Sequence, residues 1–261
     1  MAIVTTEGIV LKTHALGDTS RIVTVYTREH GLRKLVAKGA RKSPSRFGYA
    51  LEPLSRSQLV FYLKPDRDLH LLSRAEVVDA LGSRIADLSR LAHAQAALEL
   101  VDRLVWGEEP HERLYSLLVQ ALDGCARAPL AALPAVTLAF QLQLASELGY
   151  RPRLDQCAVD GRPVSQRRVF SPARGGLLCD ACAAREGGVV VLSAEALGSL
   201  ALLLSRPLLE AGEYVALPCA GELLRVIEDF FRTHFQRFQG LRSLEVLRGL
   251  EAGEPPRANG D

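Results

Sequence analysis

No apolar run in this chain approaches the roughly 20 residues that a helical membrane span needs, so a helical membrane protein is excluded at the outset. The opening "MAIVTTEGIVLK" lacks a basic segment followed by a long apolar one, so it does not read as a secretory signal. A cytoplasmic location is the expectation. Nucleotide chemistry is equally unsupported: there is no G-x-x-x-x-G-K-S/T loop and no G-x-G-x-x-G. H-E-x-x-H and G-x-S-x-G are also absent. The 6 histidines are scattered, and the acidic pair Glu108-Glu109 ahead of Pro110 reads as a helix-start feature rather than as half of a metal site. No enzyme and no bound nucleotide are expected. Aromatic residues are scarce, 6% of the chain, with one tryptophan, Trp106.

What is present is an uneven distribution of charge. The 261 residues carry a formal net charge of only +2. Yet no acidic residue occurs between Glu29 and Glu52, while Arg33, Lys34, Lys38, Arg41, Lys42 and Arg46 all do. Arg21 and Arg28 lie just upstream. A basic window of this kind is an electrostatic footprint for a polyanion. A solvated loop that is simply basic is the competing reading. Phe47 and Tyr49 fall in the same window and read either as stacking platforms or as core residues.

The chain changes character along its length. Through about residue 80, short β-branched segments are punctuated by Gly17-Asp18, His30-Gly31 and Lys64-Pro65-Asp66. Five strands in so short a stretch predict a small closed or partly open barrel. In a strand, Arg33 and Lys34 point to opposite faces. From about 83 the spacing becomes helical, with Pro134 in the first turn of one helix and Gly149 at its stop. Helices resume at Ser193, a predicted N-cap. A final stripe of Leu223, Leu224, Ile227, Phe230, Phe231, Phe235 and Phe238 reads as core. The expected fold class is therefore α+β. Residues 1–80 form the barrel, 81–150 and 191–250 a helical domain, 151–190 an insertion, and 251–261 a disordered tail.

The insertion holds Cys157 and the pair Cys179-Asp180-Ala181-Cys182. A zinc ribbon presents two knuckles of two ligands each to a tetrahedral metal. The spacing fits if Asp160 takes the place of a fourth cysteine, with Gly161 and Gly175-Gly176 supplying the turns. Three readings stay open: a Cys157, Asp160, Cys179, Cys182 zinc site of structural type, a ribbon without metal, or coincidence. Cys125 and Cys219 lie in or beside apolar helical stretches and read as core. In a cytoplasmic chain, none of the 5 cysteines is expected in a disulfide.

Taken together, Gly8-Ile9-Val10-Leu11-Lys12, Thr27-Arg28-Glu29-His30-Gly31, Val36-Ala37-Lys38-Gly39-Ala40-Arg41 and Ser45-Arg46-Phe47 closely resemble the N-terminal signature of the RecO family of bacterial DNA-repair proteins. The helical middle, the cysteine segment and the helical end with "LRSLEVL" follow in the same order. The resemblance implies an N-terminal OB-fold, a helical domain and a zinc-finger-like element. It implies binding of single- and double-stranded DNA and annealing of complementary strands, in the bacterial cytoplasm at the nucleoid. It further implies work with RecR in loading RecA onto DNA coated by single-strand-binding protein, whose C-terminal tail is a partner. The candidate DNA contacts are Lys38, Arg41, Lys42 and Arg46 first, then Arg33, Lys34, Arg21 and Arg28. Asp160, where four-cysteine members carry cysteine, puts metal occupancy in question. The alternative from a different class is an adaptor that binds partners through a helical groove around Trp106, Leu114, Tyr115 and Leu118.

Overall fold

The computed structural model describes residues 2–42, 47–64, 67–85, 87–164, 166–206 and 216–252. The expected tail and Arg46 fall outside the described residues, apart from the tail's first two positions. The chain divides into two compact units, one running to Ala126 and the other from Arg127 onward.

In the first unit, β1 (Ala2–Leu16), β2 (Ser20–Thr27), β3 (Gly31–Ala37), β4 (Ser55–Leu63) and β5 (Leu69–Ala80) form a closed barrel in the order β1-β2-β3-β5-β4. Closure rests on a short parallel pairing of Lys34, Leu35 and Val36 in β3 with Leu69, His70 and Leu71 in β5. The expected first strand began near Glu7. The observed one begins five residues earlier because Ala2 to Ile9 pair with the far strand β4. Alternation sets the core. Val10, Val23, Val25, Leu35, Leu59, Phe61 and Leu72 turn inward and are buried, each such side chain contributing about 1.5–3 kcal/mol of apolar burial.

The same unit contains α1 (Leu88–Leu104) and α2 (Glu112–Arg127); only Arg127, the last residue of α2, falls past the division. Asp87 caps α1 by accepting from the Arg90 amide at 2.8 Å, a bond of the kind that stabilises a helix start. Lys12 of β1 pairs with Asp102 of α1 at 2.6 Å, and the Tyr26 and Tyr115 rings lie 6.5 Å apart. The α1–α2 loop closes against the β2–β3 turn. Gly31 has φ +61°, and a Cβ there would lie 2.6 Å from the Glu109 carbonyl oxygen, so only glycine fits. The division thus falls after α2, whereas the sequence pattern placed its boundaries near residues 80 and 150.

The second unit is built on α3 (Leu133–Glu147), which is buried on nearly every side and packs against α5 (Ala194–Ser205) and α6 (Ala220–His234). Pro134 occupies the first turn of α3 as expected, and Ser193 caps α5 by accepting from the Ala196 amide at 3.0 Å. Between α3 and α5 lie β6 (Val169–Ser171), β7 (Gly176–Leu177), α4 (Asp180–Ala183) and β8 (Val190–Val191). β6 is the centre of this small sheet. α7 (Arg242–Glu251) follows α6. The stripe from Leu223 to Phe238 is largely buried, with Phe231 near Phe235 and Phe238 at 4.9 and 5.2 Å between ring centres.

Candidate nucleic-acid interface and cysteine cluster

The barrel sorts the basic window into two groups. Arg33 alternates inward with Leu35 and Ala37, and its side chain is only 5% exposed. Its Nη1 lies 2.5 Å from Glu108 Oε1, and Nη2 donates to the Glu108 carbonyl at 3.3 Å. Burial and then the Arg33 charge hold the neighbouring His70 imidazole below its usual value. Arg33 is therefore a structural tie between the barrel and the α1–α2 loop. Its expected place among the DNA contacts is corrected by burial with a carboxylate 75 residues away. Arg21 pairs with Glu52 at 2.7 Å, and Arg28 with Glu112. The Glu112 hydrogen bond is the main cause that raises the already high Arg28 value.

Lys34, Lys38, Arg41 and Lys42 form the other group. All are exposed, and none joins an ion pair among the described residues. Lys34 points outward from β3, on the face opposite Arg33. Lys38, Arg41 and Lys42 follow in the turn that leaves β3. That turn is tied to the β1–β2 turn: the Arg41 amide donates to Thr19 O at 3.0 Å, and Arg41 Nη1 donates to Gly17 O at 2.6 Å.

The two aromatic residues also separate. Phe47 is 5% exposed and belongs to the barrel core, whereas Tyr49 is 79% exposed. Tyr49 lies in a short 3-10 turn, Gly48–Leu51, whose backbone is held by side chains of β4. Ser55 Oγ donates to Tyr49 O at 2.9 Å and Ser57 Oγ to Ala50 O at 2.8 Å. A ring on a fixed backbone loses little freedom when a planar ligand stacks on it.

In the second unit, Cys157, Asp160, Cys179 and Cys182 converge, and their ligating atoms all lie within 4.8 Å of one another. Local backbone bonds build both knuckles. Gly161 N donates to Cys157 O at 3.0 Å, and Ala183 N to Cys179 O at 2.9 Å. Asp160 Oδ2 stands 3.6 Å from Cys179 Sγ and 3.4 Å from Cys182 Sγ. In a tetrahedral site with Zn–S of about 2.3 Å and Zn–O of about 2.0 Å, the S···O edge is about 3.5 Å. The four side chains thus fit a metal of this size. Hydrogen bonding by Cys157, then by the Arg162 amide, holds the Asp160 carboxyl down to about 2. Burial first, then the neighbouring thiols and Asp160, pushes the Cys182 thiol up to about 12. A bound cation would reverse that balance and release thiol protons. Cys125 and Cys219 are buried, as expected of core cysteines.

Three of the four residues offered for the alternative helical groove are not available to line one. Leu114, Tyr115 and Leu118 are core residues, at most 4% exposed, because that stripe of α2 faces inward. Trp106, in the α1–α2 loop, is the member of that set that stands exposed.

The five-stranded barrel order defines an OB-fold protein, here joined to a helical unit with a potential metal-holding cluster. Known sequences narrow this further. The family model for the N-terminal part of Recombination protein O matches residues 1–81, and that for its C-terminal part matches residues 85–245. The DNA repair protein RecO of Anaeromyxobacter dehalogenans (strain 2CP-C) is 36% identical over 249 residues, covering 94% of this chain and 97% of the relative. That of Streptomyces griseus subsp. griseus is 37% identical over 259 residues, covering 95% and 99%. The chain belongs to the RecO family of DNA repair and recombination proteins.

Proposed function

We propose that the protein is a recombination mediator that binds single- and double-stranded DNA and anneals complementary strands. With RecR it loads RecA onto DNA coated by single-strand-binding protein, whose C-terminal tail it engages. The observations that carry this reading are the exposed cations Lys34, Lys38, Arg41 and Lys42, which have no carboxylate partner among the described residues, and, in the same basic window of the sequence, the exposed, backbone-anchored Tyr49. The cations would follow phosphates while Tyr49 stacks a base. Arg46 adjoins this set in sequence and is assigned to it.

Annealing on such a surface needs no bond chemistry. Two strands repel through their phosphates, and a cationic edge lowers that repulsion. Backbone contacts leave base edges free to pair. Zinc held by Cys157, Asp160, Cys179 and Cys182 would supply structure, because a closed four-ligand site leaves no position for a reactive water. The residues themselves orient that site through the two knuckles.

The test is RecA filament formation on single-stranded DNA coated with single-strand-binding protein, with RecR present. Wild type is compared with a variant in which Lys34, Lys38, Arg41 and Lys42 are changed to Gln. Loading should be lost in the variant. Loading at the wild-type rate would reject this reading.

A further inference from the structure

A separate cationic pocket lies wholly within the second unit. It has a volume of about 170 Å³ and is lined by Tyr150, Arg151, Arg153, Arg174, Phe230 and His234, among others. Three arginines face one small cavity with aromatic rings in its wall. Two of them, Arg151 and Arg153, are exposed and have no carboxylate partner among the described residues, with Arg151 Nη1 donating to Leu204 O at a long 3.4 Å. Arg174 shares its guanidinium with Glu186 at 3.0 Å.

The backbone positions these groups firmly. Gly149 ends α3 at φ +87°, and the Tyr150 amide then donates to Ala145 O at 2.7 Å. Arg153 is fixed on both sides: its amide donates to Gly175 O at 2.9 Å, and its carbonyl accepts from Leu177 N at 2.9 Å. Tyr150 packs edge-on to Phe235 at 4.8 Å between ring centres, yet remains 43% exposed. His234 is oriented by a 2.9 Å hydrogen bond to Pro172 O. Gly175 keeps the cavity open, since a Cβ there would stand 3.3 Å from both His234 Nε2 and Phe230. Two other arginines of the cysteine segment are engaged elsewhere. Arg162 reaches Asp160, and Arg168 donates to Leu192 O and Gln166 O.

We propose that this pocket is a second contact for single-stranded DNA, seating a phosphodiester among Arg151, Arg153 and Arg174 with the adjoining base on Tyr150. Planar guanidinium groups suit phosphate oxygens in a bidentate geometry. A half-exposed ring at the rim offers the stacking partner that single strands use. This rests on the DNA-binding reading above and extends it: each unit carries its own strand contact, so one molecule has two places to hold strands that must meet.

The test uses single-stranded oligonucleotide carrying 5-iodouracil, photo-crosslinked to the full chain, with the attached peptides mapped. It is run on wild type, on the Lys34/Lys38/Arg41/Lys42→Gln variant, and on an Arg151→Gln/Arg153→Gln variant. A crosslink at Tyr150 that persists in the first variant and disappears in the second is expected. Loss of two phosphate contacts should also reduce the log–log salt slope by about 1.4 and weaken binding about tenfold near 0.15 M salt. If crosslinks form only on the barrel and the slope is unchanged in the arginine variant, the pocket proposal fails while the DNA-binding reading stands. If wild type neither crosslinks nor binds, both fail. Binding of an acidic peptide with a free C-terminus, sensitive to Arg151 and Arg153 and without a DNA crosslink there, would overturn the proposal in favour of a peptide site.

Discussion

Neutralising Lys34, Lys38, Arg41 and Lys42 together has an effect that can be worked out beforehand. All four are exposed and join no ion pair among the described residues, so each can release a counterion from a phosphate. With Arg46 as a fifth contact, the barrel window should give a slope of log affinity against log salt of about −3.5 for single strands, on the scale of −0.7 per phosphate. Removing four contacts leaves about −0.7 from the window, and near 0.15 M salt the affinity should fall about 200-fold. The arginine pocket of the second unit would add a residual slope of its own. Stability should barely change, because the four side chains are at the surface. Arg28→Gln is the control. Its guanidinium is already committed to Glu112, and it should leave the slope nearly unchanged. The assay is fluorescence anisotropy of labelled oligonucleotide across a salt series. An unchanged slope in the quadruple variant, or a large drop in Arg28→Gln, would refute the sorting of paired from unpaired cations.

Three further outcomes are expected. Tyr49→Ala should cost about 1–3 kcal/mol in single-strand affinity, with melting temperature unchanged because the ring is 79% exposed; equal binding in a titration would remove Tyr49 from the site. Zinc should bind stoichiometrically and raise the melting temperature, more tightly in Asp160→Cys and more weakly in Asp160→Ala, as read by competition with a chromophoric chelator; indifference to both substitutions would exclude Asp160 as a ligand. Burial pushes the His93 imidazole down to about 4 from an ordinary value of 6.5. The unfolded chain therefore takes up a proton there first as pH falls. Stability should decline from about pH 6.5 to about pH 4 by a total of about 3 kcal/mol from this group, and level off below. Denaturant melts of wild type and His93→Leu should differ in that slope, and parallel curves would contradict it.

Local chemistry was legible in the sequence, and distant pairing was not. Pro134 in a first helical turn, Ser193 as a cap and the C-x-x-C knuckle each depend on neighbours within a few positions, and each appears where expected. The first half of β1 is set by pairing with β4, where Ala2 meets Leu63, and no local pattern marks that. Alternation along β3 separates Arg33 from Lys34, but which of them faces inward depends on Glu108 closing from the α1–α2 loop. Phe47 and Tyr49 are two residues apart and equally aromatic. Only the packed barrel distinguishes the one that fills the core from the one that stands free. α1 and α2 share the spacing of the later helices, yet Lys12–Asp102 and Arg28–Glu112 tie them to the barrel. The arginine pocket has no signature in the sequence because Tyr150, Arg174 and His234 lie on three separated segments.

The most direct test of the central claim is the rate at which the full chain anneals two complementary oligonucleotides, followed by fluorescence quenching in stopped flow. Wild type should accelerate annealing strongly at low salt, and the Lys34/Lys38/Arg41/Lys42→Gln variant should lose most of that acceleration while keeping its melting temperature. An unaltered rate in a folded variant would contradict the assignment of the barrel window as the surface on which strands meet.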